Sequence, residues 1–226
     1  MYALHIANRN YSSWSLRPWL LLRELDIDFD ERLEVFGEGS NREAFRRFSP
    51  SGLVPCLIDD GLAVWDSLAV TEYLAERHAG VWPDDSRARA WARCAAAEMH
   101  SGFSALRGHC PMNCGVRARL HATPAALRTD LQRIDELWSD GLSRFGGPYL
   151  SGDRFSAVDA FFAPVAFRAQ TYRLALGEPA QAWVEMILER PAMRAWYDAA
   201  LTEPWREKTH EAELRAAADI TADHRA

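Results

Sequence analysis

Apolar and polar positions change their rhythm part-way along this chain. Up to about residue 79, short β-rich runs alternate with helical ones. Tyr2–Ala7 is an apolar run of strand length, and Leu16–Leu25 is amphipathic with helical spacing. Arg32–Phe36 predicts a second strand and Arg42–Phe48 a short helix. Val54–Ile58 and Leu62–Trp65 flank Asp59-Asp60-Gly61, a hairpin signal. Ser67–Arg77 predicts a helix with Leu68, Thr71 and Leu74 on one face. The order βαβαββα describes a small sheet with helices packed on it, an α/β unit spanning residues 1–79.

Gly80-Val81-Trp82-Pro83-Asp84-Asp85 reads as a linker (80–85), after which the strand rhythm is lost. Residues 86–107 predict one long Ala-rich helix with Trp91, Ala95, Met99 and Phe103 at helical spacing. Pro124–Phe145 predicts a second, stopped by Gly146-Gly147-Pro148. Ser156–Leu174 predicts a very apolar third helix, central to a bundle. Trp183–Leu188 and Pro191–Leu201 predict shorter ones. The charged tail after Trp205 predicts a loosely attached end with a helix around Glu211–Ala218. An all-α domain over 86–226 therefore follows the α/β one, and ligand sites favour such junctions.

Composition narrows the function classes. The chain has 26 Lys and Arg against 32 Asp and Glu, a formal net charge of −6, with the basic residues scattered. That argues against a general nucleic-acid binder. No apolar run approaches a membrane span and no signal-type N-terminus is present, so a cytoplasmic location is expected. The four cysteines, Cys56, Cys94, Cys110 and Cys114, are expected as reduced thiols. His109-Cys110 with Cys114 lacks the second half of a zinc spacing, so no metal is expected.

Three constellations carry candidate chemistry. Tyr11-Ser12-Ser13-Trp14 lies at a loop-to-helix junction, where free N–H groups and the helix dipole favour an anion. A serine there either caps the helix or donates to a bound thiolate. Val54-Pro55 opens a strand with a residue that cannot donate to the ladder. A cis bond there would leave the Val54 backbone free to pair with an extended peptide-like ligand. Asp66-Ser67 stands between strand and helix, with Ser67 as the expected N-cap. Together they could meet the carboxylate and ammonium of an amino-acid head group, or simply cap the helix.

In this order and domain context the three constellations resemble the cytosolic glutathione transferase family. The Ser12-Ser13-Trp14-Ser15-Leu16-Arg17 loop is similar to the Ser-Ser-Cys-Ser-Trp-Arg loop of the zeta class, which includes maleylacetoacetate isomerases. The resemblance implies a thioredoxin-like N-terminal domain, a helical C-terminal domain and glutathione as co-substrate. It implies Ser12 as the thiolate-stabilising hydroxyl with Ser13 in support, and Arg17 as a structural residue. Val54-Pro55 would be the cis-proline step that pairs with the cysteinyl backbone, and Asp66-Ser67 the γ-glutamyl site. Ser156-Ala157-Val158-Asp159 resembles the family's structural capping box.

The same resemblance implies a small electrophile beside the loop, with Tyr11, Trp14, Phe103, Ser104, Arg107 and Met112 as its wall, and a homodimer. Trp14 stands where the zeta class has cysteine, and Leu53 where a basic or amide residue often meets the glycyl carboxylate. Arg42, Arg46 or Ser40 would take over that last contact, and Tyr11 is an alternative thiolate donor. The implied activity is glutathione transfer to a small electrophile. The alternatives are isomerisation of the maleylacetoacetate type or a non-catalytic ligand-binding module.

Overall fold

The computed structural model describes residues 1–225. The first half runs β1 (Tyr2–Ala7), α1 (Ser13–Glu24), β2 (Phe29–Glu34), α2 (Arg42–Phe45), β3 (Cys56–Asp59), β4 (Leu62–Trp65) and α3 (Ser67–Ala75). The strands form one sheet in the order β2-β1-β3-β4, with β1 and β2 parallel and the other pairs antiparallel. This is a thioredoxin-like sheet. Leu4 and Ile6 of β1 and Leu57 of β3 are fully buried, with Leu16, Leu20 and Leu21 of α1 completing the same core. A crossover between parallel neighbours needs a helix, and α1 supplies it.

Two boundaries differ from the sequence pattern. α1 begins a turn earlier than Leu16, because Ser12 caps it: its hydroxyl accepts the Ser15 N–H at 3.4 Å. β2 lies further back than Arg32–Phe36, its register fixed by parallel pairing of Tyr2 with Phe29 through Ala7 with Glu34. Phe36 is thereby released from the strand.

The second half runs α4 (Ser86–Ser101), α5 (Ser104–His109), β5 (Val116–Leu120), α6 (Ala125–Phe145), α7 (Ala157–Tyr172), α8 (Glu178–Leu188), α9 (Pro191–Thr202), α10 (Lys208–Ala217) and β6 (Ala218–Asp223). The single helix expected over 86–107 is broken. Gly102 ends α4, and Phe103 turns left-handed at φ 56° before α5 starts. β5 and β6 form a small antiparallel ribbon that apolar rhythm does not reveal, set within an otherwise helical domain.

α7 is the central helix, packed against α1, α4, α8 and β5. Its first turn is a capping box. The Asp159 carboxylate accepts the Ser156 and Leu150 N–H groups at 3.0 Å each, and the Trp183 indole at 3.1 Å. Burial pushes the Asp159 carboxyl up to about 6.

The tail is the clearest departure from expectation. It is docked rather than loose, for β6 completes the ribbon and the Arg225 side chain is 1% exposed. Arg225 Nη1 donates to the Tyr11 hydroxyl at 2.6 Å and lies 3.7 Å from the Glu211 carboxylate.

Candidate active site

The loop Asn8–Ser12 is held from every side before it reaches α1. Asn8 Oδ1 accepts the Phe36 N–H at 2.7 Å, and Asn10 donates to Asn113 at 2.7 Å and accepts the Gly115 N–H at 2.8 Å. Arg9 pairs with Glu31 and with Glu203. The Tyr11 hydroxyl donates to Glu211 at 2.7 Å, and burial with that carboxylate pushes it up to about 12.

This braced loop presents Tyr11, Ser12, Ser13 and Trp14 to a cleft of about 630 Å³. Phe36, Ser40, Arg42, Leu53 and Val54 form one side, and Arg107, Pro111, Met112 and Arg168 the other. His210 and Glu213 of α10 close it. His210 stacks between Tyr11 (5.1 Å) and Phe36 (5.4 Å), with Nδ1 2.6 Å from Glu207. The Val54–Pro55 bond is cis, and the Val54 backbone N–H and C=O have no partner among the described residues. Gly52, two residues earlier, packs its backbone on α2: at φ +68°, a Cβ there would meet the Arg42 carbonyl at 2.5 Å.

The hydroxyls at the mouth of α1 are not equivalent. Ser12 Oγ donates to Ser15 Oγ at 2.7 Å, and Ser15 Oγ in turn accepts the Ala7 N–H at 3.1 Å. Ser13 Oγ is approached instead by the Arg168 guanidinium at 3.5 Å. Arg168 also donates to the Cys110 carbonyl at 2.8 Å and the Pro164 carbonyl at 3.3 Å, with no carboxylate paired to it among the described residues. Burial lowers Arg168 to about 10, which leaves it charged at neutral pH.

Other expected site residues are distributed differently. Phe103 is buried against Phe162 and Ser104 opens α5; neither lines the cleft, because the break at Gly102 turns them aside. Arg46 is also off the wall, whereas Arg42, Ser40 and Met112 are on it. Arg107 reaches the cleft but spends donors on the α4 end: Nε binds the Gly102 carbonyl at 3.1 Å and Nη2 the Met99 carbonyl. Its guanidinium sits 4.9 Å from the Trp14 ring.

Asp66 and Ser67 are outside the cleft lining. Asp66 rather than Ser67 caps α3, at φ 75°, by accepting the Leu68 N–H at 2.8 Å. A non-glycine residue held there is strained, and such strain concentrates at functional sites. Ser67 is fully buried and accepts from Arg17 at 3.3 Å. Arg17, between the Trp14 ring at 4.2 Å and the Phe161 ring at 4.8 Å, is thus the brace joining the loop to Asp66-Ser67. Desolvation holds its guanidinium well below its usual range.

The pattern reading missed Arg168, His210 and Glu213. For Arg168 a signal existed: it is the one charged residue after Asp159 in a mostly apolar α7. His210 and Glu213 carry none, since α10 comes back from over a hundred residues away.

A family model for the glutathione S-transferase N-terminal domain matches residues 11–77, and one for the glutathione S-transferase C-terminal domain matches 72–199. A probable maleylacetoacetate isomerase of Caenorhabditis elegans is 26% identical over 177 residues, covering 74% of this chain and 78% of the relative. Glutathione S-transferase F13 of Arabidopsis thaliana is 23% identical over 222 residues, covering 89% and 92%. Among solved structures, a Burkholderia glutathione transferase homolog with bound glutathione superposes at a TM-score of 0.65. It is 24% identical and covers 88% of this chain and 97% of that one.

Proposed function

The chain belongs to the glutathione S-transferase family, and from that premise we propose that it activates glutathione by a serine hydroxyl for attack on a small electrophile. It is a glutathione-dependent transferase or isomerase, with glutathione as co-substrate. The observation that carries the serine reading is the pair Ser12 and Ser13 at the N-terminus of α1, opening into a cleft that Val54 also lines. In this reading the tripeptide lies extended past Val54-Pro55, its γ-glutamyl end toward Asp66-Ser67 and its glycyl end toward Ser40 and Arg42. Residues 1–79 supply that groove, and 86–226 supply the far wall for the electrophile.

Catalysis is then proximity plus nucleophile activation. The thiol loses its proton to solvent. The sulfur electron pair forms a bond to an electrophilic carbon, and the displaced pair leaves with the leaving group. In an isomerisation the sulfur adds to a conjugated double bond, rotation follows, and expulsion of the sulfur restores the double bond.

The isomerase reading is favoured by the maleylacetoacetate isomerase relative and by the charge of the wall. Among the described residues, Arg42, Arg107 and Arg168 face the cleft against the single carboxylate of Glu213. The ultraviolet thiolate band of bound glutathione, followed by turnover assays with halogenated and isomerisable electrophiles, tests the proposal. A band at neutral pH with turnover supports it; glutathione bound with no thiolate and no turnover leaves a ligand-binding module.

We place the protein in the cytoplasm as a homodimer. Among the described residues no helix is long and apolar enough to cross a membrane. Leu62 and Trp65 of β4, an edge strand, are 53% and 44% exposed, an apolar surface of the N-terminal half suited to the partner's α4. Sedimentation equilibrium should give twice the monomer mass, and a monomer at micromolar concentration would remove this part.

A further inference from the structure

We propose that the glutathione thiol is activated by Ser13, backed by the buried guanidinium of Arg168, while Ser12 serves as the cap of α1. The inference rests on the reading of this cleft as a glutathione site and names the group that does the work there.

Hydrogen-bond direction separates the candidates. A bound thiolate needs a donor, and each hydroxyl has one proton to give. Tyr11 gives its proton to the Glu211 carboxylate at 2.7 Å, a charge-assisted bond, and the same hydroxyl oxygen is held by Arg225 at 2.6 Å. Ser12 gives its proton to Ser15 Oγ at 2.7 Å, while its lone pairs take the Ser15 N–H that starts the helix. Ser15 is fully buried and cannot reach a ligand. Ser13 is left. Its oxygen faces a cation, its own proton has no acceptor among the described residues, and it lines the cleft.

Arg168 gives that hydroxyl its strength. A guanidinium at 3.5 Å polarises the Ser13 O–H and adds positive potential at the spot where a sulfur would accept it. The charge is uncompensated locally. Cys110, beneath it, has its thiol pushed up to about 12 by burial, and Cys114 and Tyr172 are pushed up by burial as well, so all three are neutral. Arg107 and Arg17, whose charges bear on it, are cations like itself. Across the cleft stand Arg42, His210 and Glu213, the last being the only carboxylate on the wall among the described residues.

An unpaired buried cation is costly to maintain. Here its carbonyl ligands from Cys110 and Pro164 fix its direction without neutralising it. An anion arriving beside Ser13 completes the pair. The step is a proton loss: the S–H bond breaks, its electron pair stays on sulfur, the proton passes to water, and Ser13 keeps its own proton as a hydrogen-bond donor. Arg168 acts through Ser13 and through its field, so it is a positioning residue.

The test is the pH titration of the ultraviolet thiolate band of glutathione bound to the full chain. It compares wild type with Ser12→Ala, Ser13→Ala, Arg168→Met, Arg168→Lys and the Ser13→Ala/Arg168→Met double variant. Arg168→Met should raise the apparent pKa of the bound thiol by about one to three units, the size expected for losing a neighbouring opposite charge. Ser13→Ala should raise it too, and the double variant should rise by less than the sum, since the two act as one unit.

Arg168→Lys, which keeps a cation, should recover part of the shift. Ser12→Ala should move the titration less than Ser13→Ala and instead lower the melting temperature. A folded Arg168→Met with the wild-type titration overturns the proposal. So does a shift in Ser12→Ala that exceeds the one in Ser13→Ala. Should Arg168→Met fail to fold, the order of the two serine variants decides. A wild type that binds glutathione without any thiolate at neutral pH would overturn the serine reading itself, a result distinct from these.

Discussion

Asp159 shows how a single side chain can look like a cap and act as a hub. Its carboxylate collects three buried donors from three places in the chain: Leu150, Ser156 and the Trp183 indole. The Ser156-x-x-Asp159 spacing announces the cap, but nothing in it announces the indole from α8. Removing the acceptor leaves three buried N–H groups unpaired, so Asp159→Ala should cost about 3 kcal/mol or more by urea denaturation. The loss should depend on pH. Burial raises the folded carboxyl from 3.8 to about 6, so the native state holds its proton more tightly than the unfolded chain. That contribution is fully present below pH 3.8 and fades as pH rises through 6. The gap between wild type and Asp159→Ala should therefore be wider at pH 4.5 than at pH 7.5; a gap that widens with pH would contradict the assignment.

At the scale of elements, the sheet and most helices are legible because their faces are set by local apolar rhythm. The tail is not legible, because what docks it is buried charge. Glu211 and Arg225 read as solvent-exposed residues in sequence, yet their side chains are 7% and 1% exposed, joined through the Tyr11 hydroxyl. Breaking a buried pair strands the partner's charge, so Arg225→Met should destabilise by about 3–5 kcal/mol in equilibrium unfolding. A neutral effect would mean that the tail is not anchored as described. The contact of α4 with α6 offers a second check. Gly141 in mid-α6 should by helix propensity gain about 1 kcal/mol on mutation to Ala. A Cβ there would instead meet the Leu150 carbonyl at 2.3 Å and the Trp91 ring at 2.4 Å, so Gly141→Ala should lower the melting temperature.

Across the whole molecule the two halves line one cleft. α1 packs on α7, Arg168 of α7 reaches Ser13 of α1, and α10 returns to stack His210 on Tyr11 and Phe36. Order along the chain was enough to recognise the family from Ser12-Ser13, Val54-Pro55 and Asp66-Ser67. It could not show that Ser67 is buried under Arg17, that Phe103 and Ser104 turn away after Gly102, or that a guanidinium from residue 168 faces Ser13. Those facts depend on packing between segments far apart in sequence.

Whether this constellation holds a thiolate is read from the bound sulfur itself. The direct measurement is the ultraviolet titration of glutathione bound to the wild-type chain. An apparent thiol pKa well below the ~8.5 of an unperturbed cysteine thiol is the predicted result. Bound glutathione that titrates at the unperturbed value would mean that the cleft does not activate the thiol.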